Sequence, residues 1–114
     1  MINFHTTLVN KLKNILPIHY EMVLHSGIAT PCLSYMELNN SVEVNGDQLG
    51  YSRLTFQIKV WATNLADLQK YALEVDAAMR ELGFKRISSV ELYDQLSSMM
   101  QKVMTYEALA LEEF

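Results

Sequence analysis

The amino-acid sequence predicts an α+β fold: a mainly antiparallel sheet of four to five strands with two helices packed on one face, in the order α-β-β-β-α-β-β. The main observation is that the hydrophobic period changes from 2 to 3.6 at one junction, where an alternating segment (51–62) gives way to a helical one (65–82). The other alternating segments follow one another without a crossover helix, which favours hairpin-linked strands. A chain of 114 residues has the size of a single domain, 1–114.

The strand and helix at this junction are the best-defined elements. One face of the strand consists of Leu54, Phe56, Ile58, Val60 and Ala62, and the apolar stripe of the helix consists of Leu65, Leu68, Ala72, Val75, Met79 and Leu82. Asn64 has the position of an N-cap. Gly83 can end the helix in a left-handed conformation, with Phe84 packed back on Met79.

The segments before this unit are less regular. An amphipathic helix is predicted over 2–16, ended by Pro17, and strands are predicted over 18–24 and 32–38. Between the second strand and the central one, turn-forming residues surround a short alternating segment, Val42 to Val44. We interpret 39–50 as an exposed arm or long hairpin loop that contacts a neighbouring subunit; a mobile surface loop is the alternative.

After the central helix, a strand is predicted over 84–93, with a helix over 90–100 as the competing interpretation, and the last strand over 102–111. This strand has apolar residues on both sides, and two helices in one subunit do not suffice to cover both faces of the sheet. The predicted interface residues are Val42, Glu43, Val44, Gln48, Arg53, Trp61, Met99, Met100 and Tyr106. Met99 and Met100 are included as residues of a connecting loop.

Composition and motifs argue against several classes of function. The net charge of −4 disfavours binding to nucleic acid by phosphate neutralisation, although DNA can pass nearby without adhesion. His5, His19 and His25 lack metal-site spacing, so no metal is expected, and Cys32 in an apolar setting is expected to be a buried, inert thiol. No nucleophile motif or phosphate-binding glycine loop is present, so we expect neither an enzyme nor a cofactor. No segment predicts a membrane span or signal peptide, and no membrane partner is expected.

Several of these features together resemble the tail terminator (tail completion) proteins of long-tailed bacteriophages. The resemblance covers roughly residues 16–111 and depends on the alternating strand that ends in Val60, Trp61 and Ala62, the capped helix, the run Gly83, Phe84, Lys85 and Arg86, then Leu92 and Tyr93, and the last strand with Lys102, Val103, Tyr106 and Ala108.

The resemblance implies a structural virion protein that is made in the host cytoplasm and located in the tail or neck. Members of this family form a ring, usually a hexamer, at the head-proximal end of the tail tube. The ring stops polymerisation of the tube protein and provides the surface that joins the head completion or connector protein. DNA would then pass through its lumen without specific binding.

A small α+β ligand-binding or regulatory domain is the alternative from a different class. It would need a concave pocket with convergent polar groups. The native mass distinguishes the two, because a ring is many times 13.1 kDa.

Overall fold

A computed structural model gives the structure of the chain and describes residues 2–21, 29–45, 49–95 and 98–113. The predicted element order α-β-β-β-α-β-β is confirmed. The elements are α1 (His5–Leu12), β1 (Ile18–Tyr20), β2 (Cys32–Asn45), β3 (Leu49–Ala62), α2 (Leu65–Glu81), β4 (Lys85–Asp94) and β5 (Met99–Glu113).

The five strands form one sheet in the order β1-β2-β3-β5-β4. All neighbours are antiparallel except β1 and β2, where Ile18 lies opposite Leu33 in a parallel pair. A mainly antiparallel sheet was predicted correctly, but the hairpin link between the first two strands was wrong, because two parallel strands cannot be joined by a tight turn. Helix α2 carries the chain from β3 to β4, and β5 inserts between these two strands.

Both helices pack on one face of the sheet. The core lies between the helices and this face. The predicted inward residues of β3 are all buried, with Phe56 at its centre. Rings surround Phe56, with the Phe84 centroid at 5.9 Å and the His5 centroid at 5.5 Å. The remaining core residues are Leu8, Leu12, Leu16, Leu33, Tyr35, Leu68, Ala72, Val75, Ala78, Met79, Met104 and Tyr106.

Helix α2 begins and ends as predicted, because its end signals are local. The Asn64 side chain accepts a hydrogen bond of 2.8 Å from the Asp67 backbone N–H. At the other end Gly83 has φ +91, its N–H donates to Arg80 at 3.0 Å, and the N–H of Phe84 donates to Met79 at 2.9 Å. These two bonds are those of a Schellman motif.

We expect Gly83→Val to destabilise the protein by more than about 1 kcal/mol, because a β-branched side chain is disfavoured at positive φ. Gly83→Ala should cost less than Gly83→Val. A Cβ at this position would meet no atom within 4 Å, so the cost is one of backbone conformation and not of a clash. Denaturant unfolding of both variants measures it, and values near zero for both would contradict this account of the helix end.

Other boundaries differ from the predicted ones. Helix α1 spans only His5–Leu12, because residues 13–15 form turns before Pro17. Strand β1 is observed over Ile18–Tyr20, and residues 22–24 of its predicted range lie outside the described residues. Residues 85–94 form a strand, so the competing helix over 90–100 was wrong.

Three strands continue well past the helices and form an arm, which we define as residues 39–45, 49–55 and 107–113. Strands β2, β3 and β5 have 14, 14 and 15 residues, and a 14-residue strand is about 46 Å long. The 17 residues of α2 span only about 25 Å. The molecule is accordingly elongated, 52 × 24 × 23 Å. The segment predicted as an arm or loop is therefore mostly paired strand.

Candidate interaction surfaces

The face of the sheet opposite the helices carries an exposed apolar patch on the arm. We call Tyr51, Leu109 and Leu111 the arm patch. Tyr51 lies directly opposite Leu111 across the β3–β5 pair. The three side chains are 42%, 58% and 61% exposed, so this part of the predicted uncovered surface is observed. Adjacent exposed apolar side chains of this kind mark a contact surface.

Arg53, a predicted interface residue, lies at the base of the arm patch. Its guanidinium forms an ion pair with Glu107 of the neighbouring strand, and Leu109 is its register partner. Both side chains are partly buried. Arg53 therefore joins two strands of the arm and borders the patch on the helix-free face.

Trp61 also faces away from the helices, as predicted, and it belongs to a polar network. Its indole Nε1–H donates to Ser34 Oγ at 2.9 Å, and the Ser34 hydroxyl donates to Glu21 Oε2 at 2.7 Å. Lys59 Nζ donates to Glu21 Oε1 at 2.5 Å and lies 5.8 Å from the Trp61 ring centroid. These contacts fix Trp61 within its own subunit.

The structure places three other predicted interface residues differently. Tyr106 is only 1% exposed and lies in the core between the sheet and α2, because even-numbered residues of β5 face the helices. Met99 and Met100 begin β5 and do not lie in a loop. Met100 packs partly against the core.

Of the arm residues predicted to make contacts, Val42 is half exposed on β2. Glu43 and Val44 pair with Tyr51 and Gly50 through their backbones, and their side chains lie outside the described part. Gln48 lies outside the described residues altogether.

The buried Tyr106 hydroxyl donates a 2.9 Å hydrogen bond to Asp76 Oδ1. Burial, and next the bond to Asp76, raise the pKa of Tyr106 well above its usual value of 10.0. The folded chain therefore keeps this proton at a pH where the unfolded chain loses it. Burial also raises the pKa of Tyr35, with a smaller addition from Tyr20.

We expect folding stability to fall as pH rises above about 10, by about 1.4 kcal/mol per pH unit for a group that stays protonated only when folded. Tyr106→Phe should make this decline in stability with pH shallower. Part of the decline that persists in the variant should come from Tyr35. The matched control is Tyr93→Phe, because Tyr93 is 59% exposed. Urea unfolding between pH 8 and 11 measures the slopes, and equal slopes for wild type and Tyr106→Phe would contradict the prediction.

Asp76 pairs with two of three neighbouring cations, which we call the basic corner: Arg80, Lys85 and Arg86. Arg80 Nη2 lies 3.0 Å from Asp76 Oδ2, and Arg86 Nη1 lies 3.0 Å from Asp76 Oδ1. The Asp76 side chain is 13% exposed, whereas those of Arg80 and Arg86 are 77% and 46% exposed. A cleft of about 370 Å³ opens between these residues and Phe84. Two arginines thus pair with one carboxylate, and Lys85 lies beside them on the wall of the cleft.

The strand that leaves the basic corner, β4, is an edge strand with apolar side chains. Among the described strands it pairs with β5 alone. Ile87, Val90 and Leu92 are each about half exposed. A long edge strand with this composition can pair with, or pack against, another chain.

Two of the residues considered for chemistry, Cys32 and His5, lie in the described part of the chain and have structural surroundings. Cys32 is buried, and burial raises the pKa of its thiol. His5 lies between Tyr35 Oη at 3.3 Å and Glu37 Oε2 at 3.2 Å. Among the described residues, no three His, Cys, Asp or Glu side chains are placed to hold a metal ion, and no helix is long and apolar enough to cross a membrane. His25 lies outside the described residues.

A groove of about 320 Å³ lies between α2 and the β4–β5 pair. Its walls include Leu73, which is 72% exposed, and Met104. Two of its charged residues already have partners: Arg86 pairs with Asp76, and Lys102 Nζ lies 2.9 Å from Glu91 Oε1. A small ligand could enter this groove from solvent.

Comparison with known proteins shows a shared fold but no matching family. No protein-family model matches the chain, and no curated protein matches it. Among solved structures, the chain is similar to one chain of the virion of a native gene transfer agent particle, with a TM-score of 0.66 and 14% sequence identity. The match covers 92% of this chain and 84% of the other. The two chains therefore share a fold across almost their whole lengths.

Proposed function

We propose that this chain is a structural subunit of a phage or phage-like virion. The observation that carries the proposal is the fold it shares, over 92% of its length, with a chain of a gene transfer agent virion. Within such a particle we assign it the role of tail terminator. It forms a ring, most simply a hexamer, at the head-proximal end of the tail tube, ends tube polymerisation and provides the surface that joins the head completion or connector protein.

The surfaces described above support this role because they suit repeated protein contacts. The arm extends beyond the helices and carries the exposed arm patch, and the β4 edge has apolar side chains on a strand open to a further partner. In a ring, each copy would cover part of the apolar surface of the next. A structural role of this kind needs no catalytic group and no cofactor.

The charge of the chain suits a ring through which DNA passes. At pH 7 the net charge is −4, so a ring of identical subunits is negatively charged overall. Basic grooves hold DNA by neutralising phosphates, and an acidic lumen does not. DNA would pass through without being retained.

The mass of the assembled protein tests the proposal. We expect light scattering to give a mass several times the 13.1 kDa of one subunit, with six subunits for a hexamer, either alone or after addition of tail-tube protein. Added to polymerising tube protein, the chain should also limit tube length, as seen by electron microscopy. One subunit mass at every concentration, both alone and with tube ends, together with unrestricted tube growth, would refute it.

A small ligand-binding or regulatory domain is the second candidate, and the groove between α2 and β4–β5 is the observation that favours it. A monomer whose Leu73 and Lys102 resonances shift saturably when metabolite pools are titrated would support this alternative. A ring at the tube end would support the virion role.

A further inference from the structure

Strand β4 is exposed along nearly its whole length and has one backbone edge open. Among the described strands it pairs with β5 alone, so its other edge faces away from the sheet. Every side chain from Lys85 to Tyr93 is exposed, on both faces of the sheet. An edge of this kind is a template for another strand. The residues of β4 indicate which strand fits there.

The register with β5 assigns the residues of β4 to the two faces of the sheet. Two apolar residues, Val90 and Leu92, lie on the helix-free face. Four residues lie on the face that carries the helices: Arg86, Ser89, Glu91 and Tyr93. The register shift skips Ile87, so β4 has nine paired positions, and Val90 is the fifth. The strand is therefore centred on Val90.

Two copies of β4 complement each other when they lie side by side in antiparallel orientation. In the register centred on Val90, this residue lies opposite the Val90 of the other copy. Arg86 lies opposite Tyr93, which allows a cation–π contact, and Ser89 lies opposite Glu91, so that a hydroxyl can donate to a carboxylate. Both members of each pair lie on the same face, as an antiparallel sheet requires.

Other ways of pairing the same two strands are less favourable. Parallel copies in register would set Arg86 beside Arg86 and Glu91 beside Glu91, and like charges opposite each other destabilise a sheet. A slip of one residue in the antiparallel pair would turn the opposing side chains to different faces. The ion pairs of Arg86 with Asp76 and of Glu91 with Lys102 can persist, because a guanidinium has five N–H donors and a carboxylate accepts several hydrogen bonds.

We infer that the free chain forms a two-fold dimer in which the β4 strands of two copies pair antiparallel at Val90. Val90 and Leu92 of both copies then form one apolar cluster on the helix-free face. The arm remains accessible, because β4 follows β5 only as far as Glu107. A two-fold contact closes on itself, so it differs from the head-to-tail contacts of a ring. The inference goes beyond the proposed function, because it concerns the chain before it meets a tube end.

Opposite charges at position 90 test this pairing, because a two-fold contact at Val90 sets the residue against itself. We expect wild type to give twice the 13.1 kDa of one subunit in sedimentation equilibrium. Val90→Glu and Val90→Lys should each give the mass of one subunit, since like charges then meet at the axis. An equimolar mixture of the two variants should recover the mass of two subunits. Val90 is 51% exposed, so the fold should tolerate both changes, and thermal unfolding checks this.

The matched control is Val42, which is 50% exposed on β2, three strands away from β4. Val42→Glu and Val42→Lys should each keep the mass of two subunits.

A second measurement does not depend on charge. Opposite residues of an antiparallel pair have Cα atoms about 4.5–5.5 Å apart, which a disulfide can span. Val90→Cys should therefore form a covalent dimer when oxidised glutathione is added, and Val42→Cys should not. The native Cys32 is buried and does not compete.

The outcomes separate this dimer from the proposed ring. Variants at Val90 that keep the mass of two subunits overturn the pairing. A mixture that stays at one subunit also overturns it, because Val90 would then face a different surface. Wild type that is monomeric alone, or that forms rings without a dimer at any concentration, overturns the dimer and leaves the virion role. A dimer that neither assembles further with tube protein nor limits tube growth overturns the virion role and leaves the pairing.

Discussion

Replacement of residues 41–48 by a short Gly-Ser linker should abolish ring formation and the arrest of tube growth while the rest of the chain stays folded. The fold should survive because none of the described residues between Tyr35 and Leu54 belongs to the core. The assembly should fail because the replacement removes residues 41–45 of β2, which pair with β3 in the arm. Circular dichroism reports the fold, and light scattering with electron microscopy of tubes reports the assembly.

A matched control distinguishes loss of the arm from loss of any exposed apolar residue. Leu73→Ser removes a side chain that is 72% exposed on α2, far from the arm, and should leave assembly unchanged. If the shortened chain still forms rings and still yields tubes of normal length, the arm is not the contact. The subunit interface would then have to be sought at the β4 edge and the helix-free face near Trp61.

Asp76→Ala should have the largest effect on stability among single polar substitutions. It leaves the buried Tyr106 hydroxyl without its carboxylate acceptor, which costs about 1–3 kcal/mol for a buried donor. It also removes the only carboxylate shared by Arg80 and Arg86 among the described residues, so the basic corner becomes self-repelling. For a domain with about 5–15 kcal/mol of total stability, this is a large fraction.

The isosteric variant Asp76→Asn separates these two effects. The amide oxygen that Asp76→Asn introduces can still accept the hydrogen bond from Tyr106. Asp76→Asn should therefore lower the free energy of unfolding by less than Asp76→Ala, and it should lose mainly the ion pairs with Arg80 and Arg86. Urea unfolding at pH 7 compares the two. Equal losses in both variants would mean that the charge of Asp76, and not the hydrogen bond to Tyr106, stabilises this part of the core.

Helix α2 was predicted almost to the residue because its signals are local in sequence. The cap at Asn64 and the glycine at Gly83 each act on backbone groups within a few residues. Strand β3 was predicted for the same reason, since alternation alone defines its buried face. Burial of Cys32 was also correct.

The errors occurred where partners distant in sequence decide the structure. The arm was interpreted as an exposed arm or long hairpin loop with only a short strand at Val42 to Val44, because it is rich in Asn and Ser, yet β3 and β5 supply backbone hydrogen-bond partners that extend the pairing. Tyr106 was predicted at an interface because β5 is apolar on both sides, and only its register with β3 shows which side is buried. The parallel pairing of β1 with β2 has no local signal.

The length of the arm has a consequence for hydrodynamic measurements. The radius of gyration is 15.3 Å, whereas a compact domain of this length has about 13 Å. A single subunit will therefore diffuse more slowly and elute earlier from a gel-filtration column than a globular standard of 13.1 kDa. An early elution volume alone would be mistaken for a dimer, so subunit number must come from scattering or sedimentation equilibrium, which do not depend on shape.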